Sequence, residues 1–278
     1  MKETVKLSIF QRKGGCAKTT TAINLAGAFV ETHKKSKVLI VDCDSQSHIR
    51  ANLIDNVPEE ERTEYTIVDV INKECSLKDA IMQAHITKRR NLVPIPVYFV
   101  QTPITDGAFT NKKGKDIGND LSYKDAFCHI FKELEEEFDL IIFDLPPVLS
   151  NGLGVQGIYY SDYVILPTQL TKTDLDGLQT AYSEIENFKS LLDTDVINLG
   201  VLISIYNSKA TVQNDLGEEL SGALGDELFQ TRIKQATVVQ QASAMNEPVV
   251  FYAPGSPAAF NFRAFEKEFE KRLKKNKR

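Results

Sequence analysis

The chain has 278 residues, 42% of them hydrophobic and 26% charged, with a formal net charge of -5. That balance belongs to an ordinary soluble protein able to bury a full core, as one large α/β domain or as two smaller ones. The net acidity excludes a polycation, so any contact with nucleic acid has to use a local patch. Four cysteines, Cys16, Cys43, Cys75 and Cys128, show no metal-ligand spacing and fit free thiols rather than a disulfide framework. No apolar run is long enough to span a bilayer and no signal peptide precedes the first strand, so a cytoplasmic protein is expected.

The first strand is a short apolar run, Val5, Leu7, Ile9 and Phe10. Gln11 to Thr21 follows, and then a helical pattern that puts Ala22, Leu25, Ala26, Phe29 and Val30 on one face. Strand, glycine-rich loop, lysine-threonine and helix is the layout of a phosphate-binding loop. Gly14 and Gly15 let backbone N–H groups converge on phosphate oxygens, and the helix N-terminus adds partial positive charge. Cys16, Ala17 and Thr20 complete the cradle. Lys18 is placed to reach the β- and γ-phosphates, and the Thr19 hydroxyl to ligate Mg²⁺. The bland alternative, a tight strand-to-helix turn with a solvated lysine, is disfavoured by the flanking elements.

The loop departs from G-x-x-x-x-G-K-[ST] at both glycines, where it has Arg12 and Ala17, and it carries a second lysine at Lys13. Lys-Gly-Gly-x-x-Lys-Thr is the deviant Walker A signature, and in it the chain resembles the ParA/MinD family of P-loop ATPases. The resemblance implies that Lys13 reaches across a dimer interface to the partner's nucleotide. Ala17 in place of glycine is expected to have a negative φ.

Lys37 to Asp42 is an unalternating apolar run, as in a strand buried on both faces, and it ends in Asp42-Cys43-Asp44. The family has Asp-x-Asp-Pro-Gln here. By that resemblance Asp44 orients the attacking water and Asp42 supports the Mg²⁺ shell, with Ser45 standing where the family has proline. Residues 55 to 91 read as short polar helices, Thr66 to Asn72 and Leu77 to Ala84. Asn91 to Tyr98 reads as a strand, made irregular or edge-placed by two prolines. Thr102 to Asp120 is polar, either a bland surface loop or a partner-binding insertion.

Phe138 to Asp144 has the Walker B pattern, with Asp144 holding Mg²⁺ through water. Leu145 follows it instead of glutamate, which excludes a general base beside Walker B and leaves water positioning to Asp44. Pro146-Pro147 matches the family's switch segment. Tyr163 to Pro167 and Leu199 to Tyr206 are further buried-strand runs, with a helix from Asp174 to Leu191 between them. Strands separated by helices in this order describe a doubly wound, mostly parallel α/β sheet flanked by helices.

In the family the base sits near the segment occupied here by Asn207 and near an Ile-Pro-Arg-Asn segment. At the second place this chain has Ile233-Lys234-Gln235-Ala236, so contacts to the base are not carried over there, and ATP rather than GTP rests on the resemblance. Relatives carry DNA-contacting arginines in the same region, whereas Thr237 to Gln241 has no cation. The basic character lies in 271–278, which is either an electrostatic DNA contact or a solvated helix end. Phe262, Phe265, Phe269 and Leu273 form a narrow apolar stripe, expected to fold onto the domain rather than lie on a membrane.

The resemblance therefore implies a ParA-type ATPase of the small class, a single domain over 1–278, whose sheet starts too early for an N-terminal helix-turn-helix domain. Such a protein uses ATP and Mg²⁺, closes an ATP-dependent homodimer, binds nonspecific nucleoid DNA and responds to a ParB-like centromere-binding partner in plasmid or chromosome segregation. A MinD-like membrane-associated positioning ATPase and a metabolic P-loop enzyme are the alternatives.

Overall fold

The computed structural model describes residues 4–105, 109, 126–132, 134–149 and 152–276. Seven strands form one sheet: β1 (Val5–Ile9), β2 (Val38–Asp42), β3 (Ile81–Lys88), β4 (Asn91–Val100), β5 (Leu140–Asp144), β6 (Tyr163–Thr168) and β7 (Ile197–Ile203). Their spatial order is β3-β4-β2-β5-β1-β6-β7. All neighbours are parallel except the β3–β4 hairpin. The doubly wound, mostly parallel sheet expected from the apolar runs is present. The helices are α1 (Lys18–Thr32), α2 (His48–Ala51), α3 (Ile67–Ile71), α4 (Leu77–Ala80), α5 (Ala126–Phe131) and α6 (Gly152–Tyr160). After them come α7 (Lys172–Leu192), α8 (Thr211–Leu224), α9 (Thr237–Ala244), α10 (Val249–Tyr252) and α11 (Pro257–Asn276).

Because β2 and β5 are apolar up to their terminal aspartates, successive side chains feed two separate cores. Val38, Ile40, Leu140 and Ile142 join α1 and α11 on one side. Leu39, Val41, Ile141 and Phe143 join α6 and α7 on the other. Gly27 lets α1 come close to the segment ahead of α10, since a Cβ there would lie 2.4 Å from that of Pro248. The Phe262, Phe265, Phe269 and Leu273 stripe of α11 is buried in the first core, as expected.

One expectation fails on the outer part of the sheet. The helix read over Leu77 to Ala84 stops at Ala80, and Ile81 begins the edge strand β3. A capping box between Ser76 and Asp79 starts this helix, but residues 81–88 alternate as a half-buried strand does. Of the two alternatives for the proline-bearing strand, irregular or edge-placed, the structure has the first: β3 covers β4, and their ladder shifts register between Gln83 and His85. The prolines of β4 fall where β2 does not reach: β2 pairs with β4 only from Val97 to Val100, and Pro94 lies opposite His85 beyond the register shift. Most of the polar stretch expected over Thr102 to Asp120 lies outside the described residues.

Candidate phosphate and metal site

The ends of β1, β2 and β5 bring the three sequence motifs together. Ile9 pairs with Asp144, and Asp42 pairs with Asp144 from the other side, so the loop after β1 faces two strand-end carboxylates. α1 begins at the loop with an N-cap, Ala17, that makes no side-chain capping bond, and its first turn has no acid. Its N-terminal N–H groups are left to an external anion.

Ala17 has φ 64° and ψ 30°, in the left-handed region, so the expected negative φ is wrong. The turn into α1 needs the backbone that a glycine would supply, and the alanine carries the strain. Gly15, at φ 79°, takes a second left-handed position without that cost. Ser47 and Ile205 also have positive φ at the same ends of the sheet. For a β-branched residue such as Ile205 this is a true outlier, and it adjoins the Asn207 segment.

The two lysines occupy different settings. Lys18 is buried. Lys13 lies further out and donates to Asp174 Oδ2 and Thr173 Oγ1, each at 2.9 Å. Asp174 also accepts from the Cys16 thiol at 3.0 Å and from the Thr171 hydroxyl. Burial alone would raise the Asp174 carboxyl, but bonds from Cys16, Thr171 and Lys13 outweigh it and hold it below its ordinary value. Cys16 responds oppositely: burial and then Asp174 push its thiol up to about 12, so it stays a protonated donor. Arg12 pairs with Glu184 at 2.6 Å, and Gln169 donates to Gly15 O at 2.8 Å. The loop is thus moored to β6 and α7. Sequence reasoning missed Asp174, although Thr171-x-x-Asp174 opens α7 just past a strand end, where site acids gather in this sheet.

The carboxylates divide the work. Asp42 spends both oxygens on backbone amides, those of Asp44 and Ile49, each at 3.0 Å. It fixes the turn that carries Asp44, whose Oδ1 accepts only the Gln46 amide at 3.1 Å among the described hydrogen bonds. Asp144 Oδ2 accepts from the Thr19 hydroxyl at 2.5 Å, while its Oδ1 is buried with no hydrogen-bond partner. Burial pushes the Asp144 carboxyl up to about 7, against the Thr19 bond and Lys18. Burial and then Asp144 raise Asp42 well above the ordinary range. A hydroxyl beside an orphaned, part-neutralised carboxylate oxygen is a hard-oxygen donor set, and it fits Mg²⁺. Gly14, Gly15, Cys16, Ala17, Lys18, Thr19 and Thr20 are contiguous at the loop and first helical turn.

Asn207 lies in a cleft of about 410 Å³. Tyr206 and Lys234 are bridged there, and the Gln235 amide donates to Tyr206 O at 2.9 Å. The two segments that the resemblance assigns to the base are therefore adjacent.

Two cations of the basic tail, Arg272 and Lys275, are engaged within the fold. Arg272 donates to Leu199 O at 2.9 Å, Leu228 O at 2.6 Å and Glu268 Oε1 at 3.2 Å, with its guanidinium 3.9 Å from the Phe229 ring centroid. Lys275 pairs with Asp226 at 3.1 Å. Among the described residues no helix is long and apolar enough to cross a membrane.

Comparison with known proteins bears on the family and the fold. The family model for an AAA domain, AAA_31, matches residues 4–197. A chromosome partitioning protein ParA of Myxococcus xanthus is 26% identical over 96% of this chain and 88% of its own. The sporulation initiation inhibitor protein Soj of Bacillus subtilis is 24% identical over 94% and 96% respectively. A cobyrinic acid a,c-diamide synthase of Mycobacterium smegmatis, solved with an ATP analogue and magnesium, superposes with a TM-score of 0.75 over 99% of this chain and 97% of that one. At 19% identity that likeness speaks for the fold alone. From the loop that carries both lysines, the strand-end carboxylates and these relatives, the chain belongs to the AAA_31 family of AAA domains and is a ParA/MinD-type ATPase.

Proposed function

We propose that this protein is a partition ATPase that hydrolyses ATP in a nucleotide-sandwich dimer, binds nonspecific DNA in that state and is stimulated by a ParB-like partner. The observation that carries the reading is the split between the two lysines of one loop, Lys18 buried and Lys13 held further out by Asp174. Relatives named ParA and Soj support the partition role. The whole chain acts as one unit built on the seven-stranded sheet.

In this reading ATP–Mg²⁺ binds with its phosphates on the α1 N-terminus, and the base lies in the cleft beside Asn207. Lys18 offsets charge on the transferring phosphoryl group, and Thr19 and Asp144 hold the metal, which draws electron density from the phosphate oxygens. Asp44, on the turn that Asp42 fixes, positions the attacking water. Lys13 exchanges Asp174 for the nucleotide of the second protomer. The Asp174 side chain that Lys13 leaves is only 1% exposed, so the exchange relies on the Cys16 thiol and the Thr171 hydroxyl, which still donate to it, and on the nucleotide phosphates taking the lysine charge. If the tail contacts DNA, Lys271 and Lys274 are its candidates, because Arg272 and Lys275 are engaged.

An ATP-dependent gel shift on arbitrary DNA, with turnover measured with and without DNA and a centromere-binding partner, tests the proposal. ATP-dependent sedimentation with liposomes in place of DNA binding would move the protein to the MinD-like class. A nucleotide-bound crystal with Lys13 still on Asp174 and no second chain opposite would remove the sandwich mechanism.

A further inference from the structure

The far end of α1, away from the phosphate loop, meets α11 at a second cluster of ionisable groups. His33 caps α1, and its ring lies 4.7 Å from that of Phe29, centroid to centroid. Glu266 and Glu270, one turn apart on α11, face it. Glu270 Oε1 is 3.0 Å from His33 Nε2, and Glu266 Oε1 is 3.7 Å from His33 Nδ1. Glu266 is fully buried, and its Oε1 has no hydrogen-bond partner; its other oxygen has the Thr32 hydroxyl at 3.4 Å. A buried carboxylate left half-satisfied is costly unless something cationic shares the space.

The ring nitrogens narrow what that is. His33 Nδ1 is 3.1 Å from Phe29 O, a carbonyl that can only accept, so Nδ1 carries the hydrogen. In the neutral ring the Nε2 lone pair then points at a carboxylate oxygen 3.0 Å away, which is acceptor against acceptor. Either a proton or a metal ion relieves this. Two ligands on a tetrahedral zinc ion, each about 2.1 Å from it, stand about 3.4 Å apart, within about 0.5 Å of the His33–Glu270 spacing. Donation of the other ring N–H to a backbone carbonyl is also the usual support of a metal-bound histidine. One donor from each of the three residues falls within 4.8 Å of the others. Imidazole with two carboxylates suits Zn²⁺ better than Mg²⁺.

We infer that His33, Glu266 and Glu270 form a binding site for a zinc-like divalent cation, distinct from the phosphate-loop metal, that pins α11 to the end of the phosphate-loop helix. Burial raises the Glu266 carboxyl to about 7, with Glu270 adding to it and His33, Thr32 and Lys267 opposing. Bound metal would replace the proton that this carboxyl otherwise takes.

The test is equilibrium dialysis of the untagged, nucleotide-free full chain against Zn²⁺ with excess Mg²⁺, read with a thermal melt and with Co²⁺ absorption. One equivalent should bind, raise Tm and give Co²⁺ bands without thiolate charge transfer, which separates the site from the cysteines. His33→Ala should abolish binding. Glu270→Gln, at a side chain 27% exposed that tolerates substitution, should weaken it at least about tenfold and remove most of the Tm rise. No bound zinc, or binding unchanged in the two variants, overturns the proposal and leaves the cluster an imidazolium–carboxylate ion pair.

Discussion

The phosphate loop and the C-terminal helix are the two cation-rich stretches that stand out in the sequence, and the structure treats them in opposite ways. Lys13 rests on the Asp174 carboxylate and the Thr173 hydroxyl, and Lys18 is buried beside a carboxylate whose second oxygen is orphaned. Arg272 instead closes onto backbone carbonyls of Leu199 and Leu228 and stacks on Phe229. A carboxylate partner can be exchanged for a phosphate, because both are anions. A buried carbonyl cannot be left without its donor at small cost. The nature of the acceptor, rather than the number of cations, distinguishes a working site from a structural clamp.

The two regions should therefore fail differently when mutated. Lys18→Ala should cut ATP turnover by about 10²- to 10³-fold or more while leaving the thermal melt of the nucleotide-free chain nearly unchanged. Wild-type turnover in a phosphate-release assay would end the comparison at its stronger side. Asp44→Ala should lower turnover by about 10²-fold or more yet keep ATP binding and dimerisation, seen by nucleotide titration and light scattering. Full hydrolysis in that variant refutes its role in positioning water.

Arg272→Ala should give the mirror image, a loss of about 2–3 kcal/mol in urea unfolding with nucleotide affinity intact. A melt like that of the wild type would mean that the clamp contributes little.

The site should also show in the pH dependence of the nucleotide-free chain. Asp144, raised to about 7, holds a proton in the folded state that the unfolded chain releases near the ordinary carboxyl value of 3.8. The folded state binds more protons between those values, so stability falls as pH rises from about 4 to 7. Glu266, also raised to about 7, contributes with the same sign. Asp144→Asn should flatten part of this slope in melts across the window, and an unchanged slope would assign it elsewhere. The smallest effect is expected at Ala17. Glycine there should relieve left-handed strain for a net gain of up to about 1 kcal/mol, whereas a loss would show that the alanine is not strained.

Much of the architecture was legible because the central strands announce themselves. Val38 to Asp42 and Leu140 to Asp144 are buried at every position, and an unbroken apolar run ending in an acid permits few other readings. The outer hairpin was less legible. Ser76 and Asp79 start a helix whose local signals do not say where it ends, and Ile81 continues as a strand because β4 offers it Val100 as a partner. The prolines of β4 correctly signalled irregular pairing, but not that a further strand lay outside them.

What the sequence determined by itself was the set of groups that meet at the strand ends: Lys13, Lys18, Thr19, Asp42, Asp44 and Asp144. Their order along strand, loop and helix leaves the backbone little choice. The tertiary structure decided the backbone sign at Ala17, the mooring of Lys13 to Asp174, the commitment of Arg272 and the meeting of His33 with Glu266 and Glu270. Each of these depends on which distant element arrives opposite a given residue, and local propensity and periodicity carry no information about that.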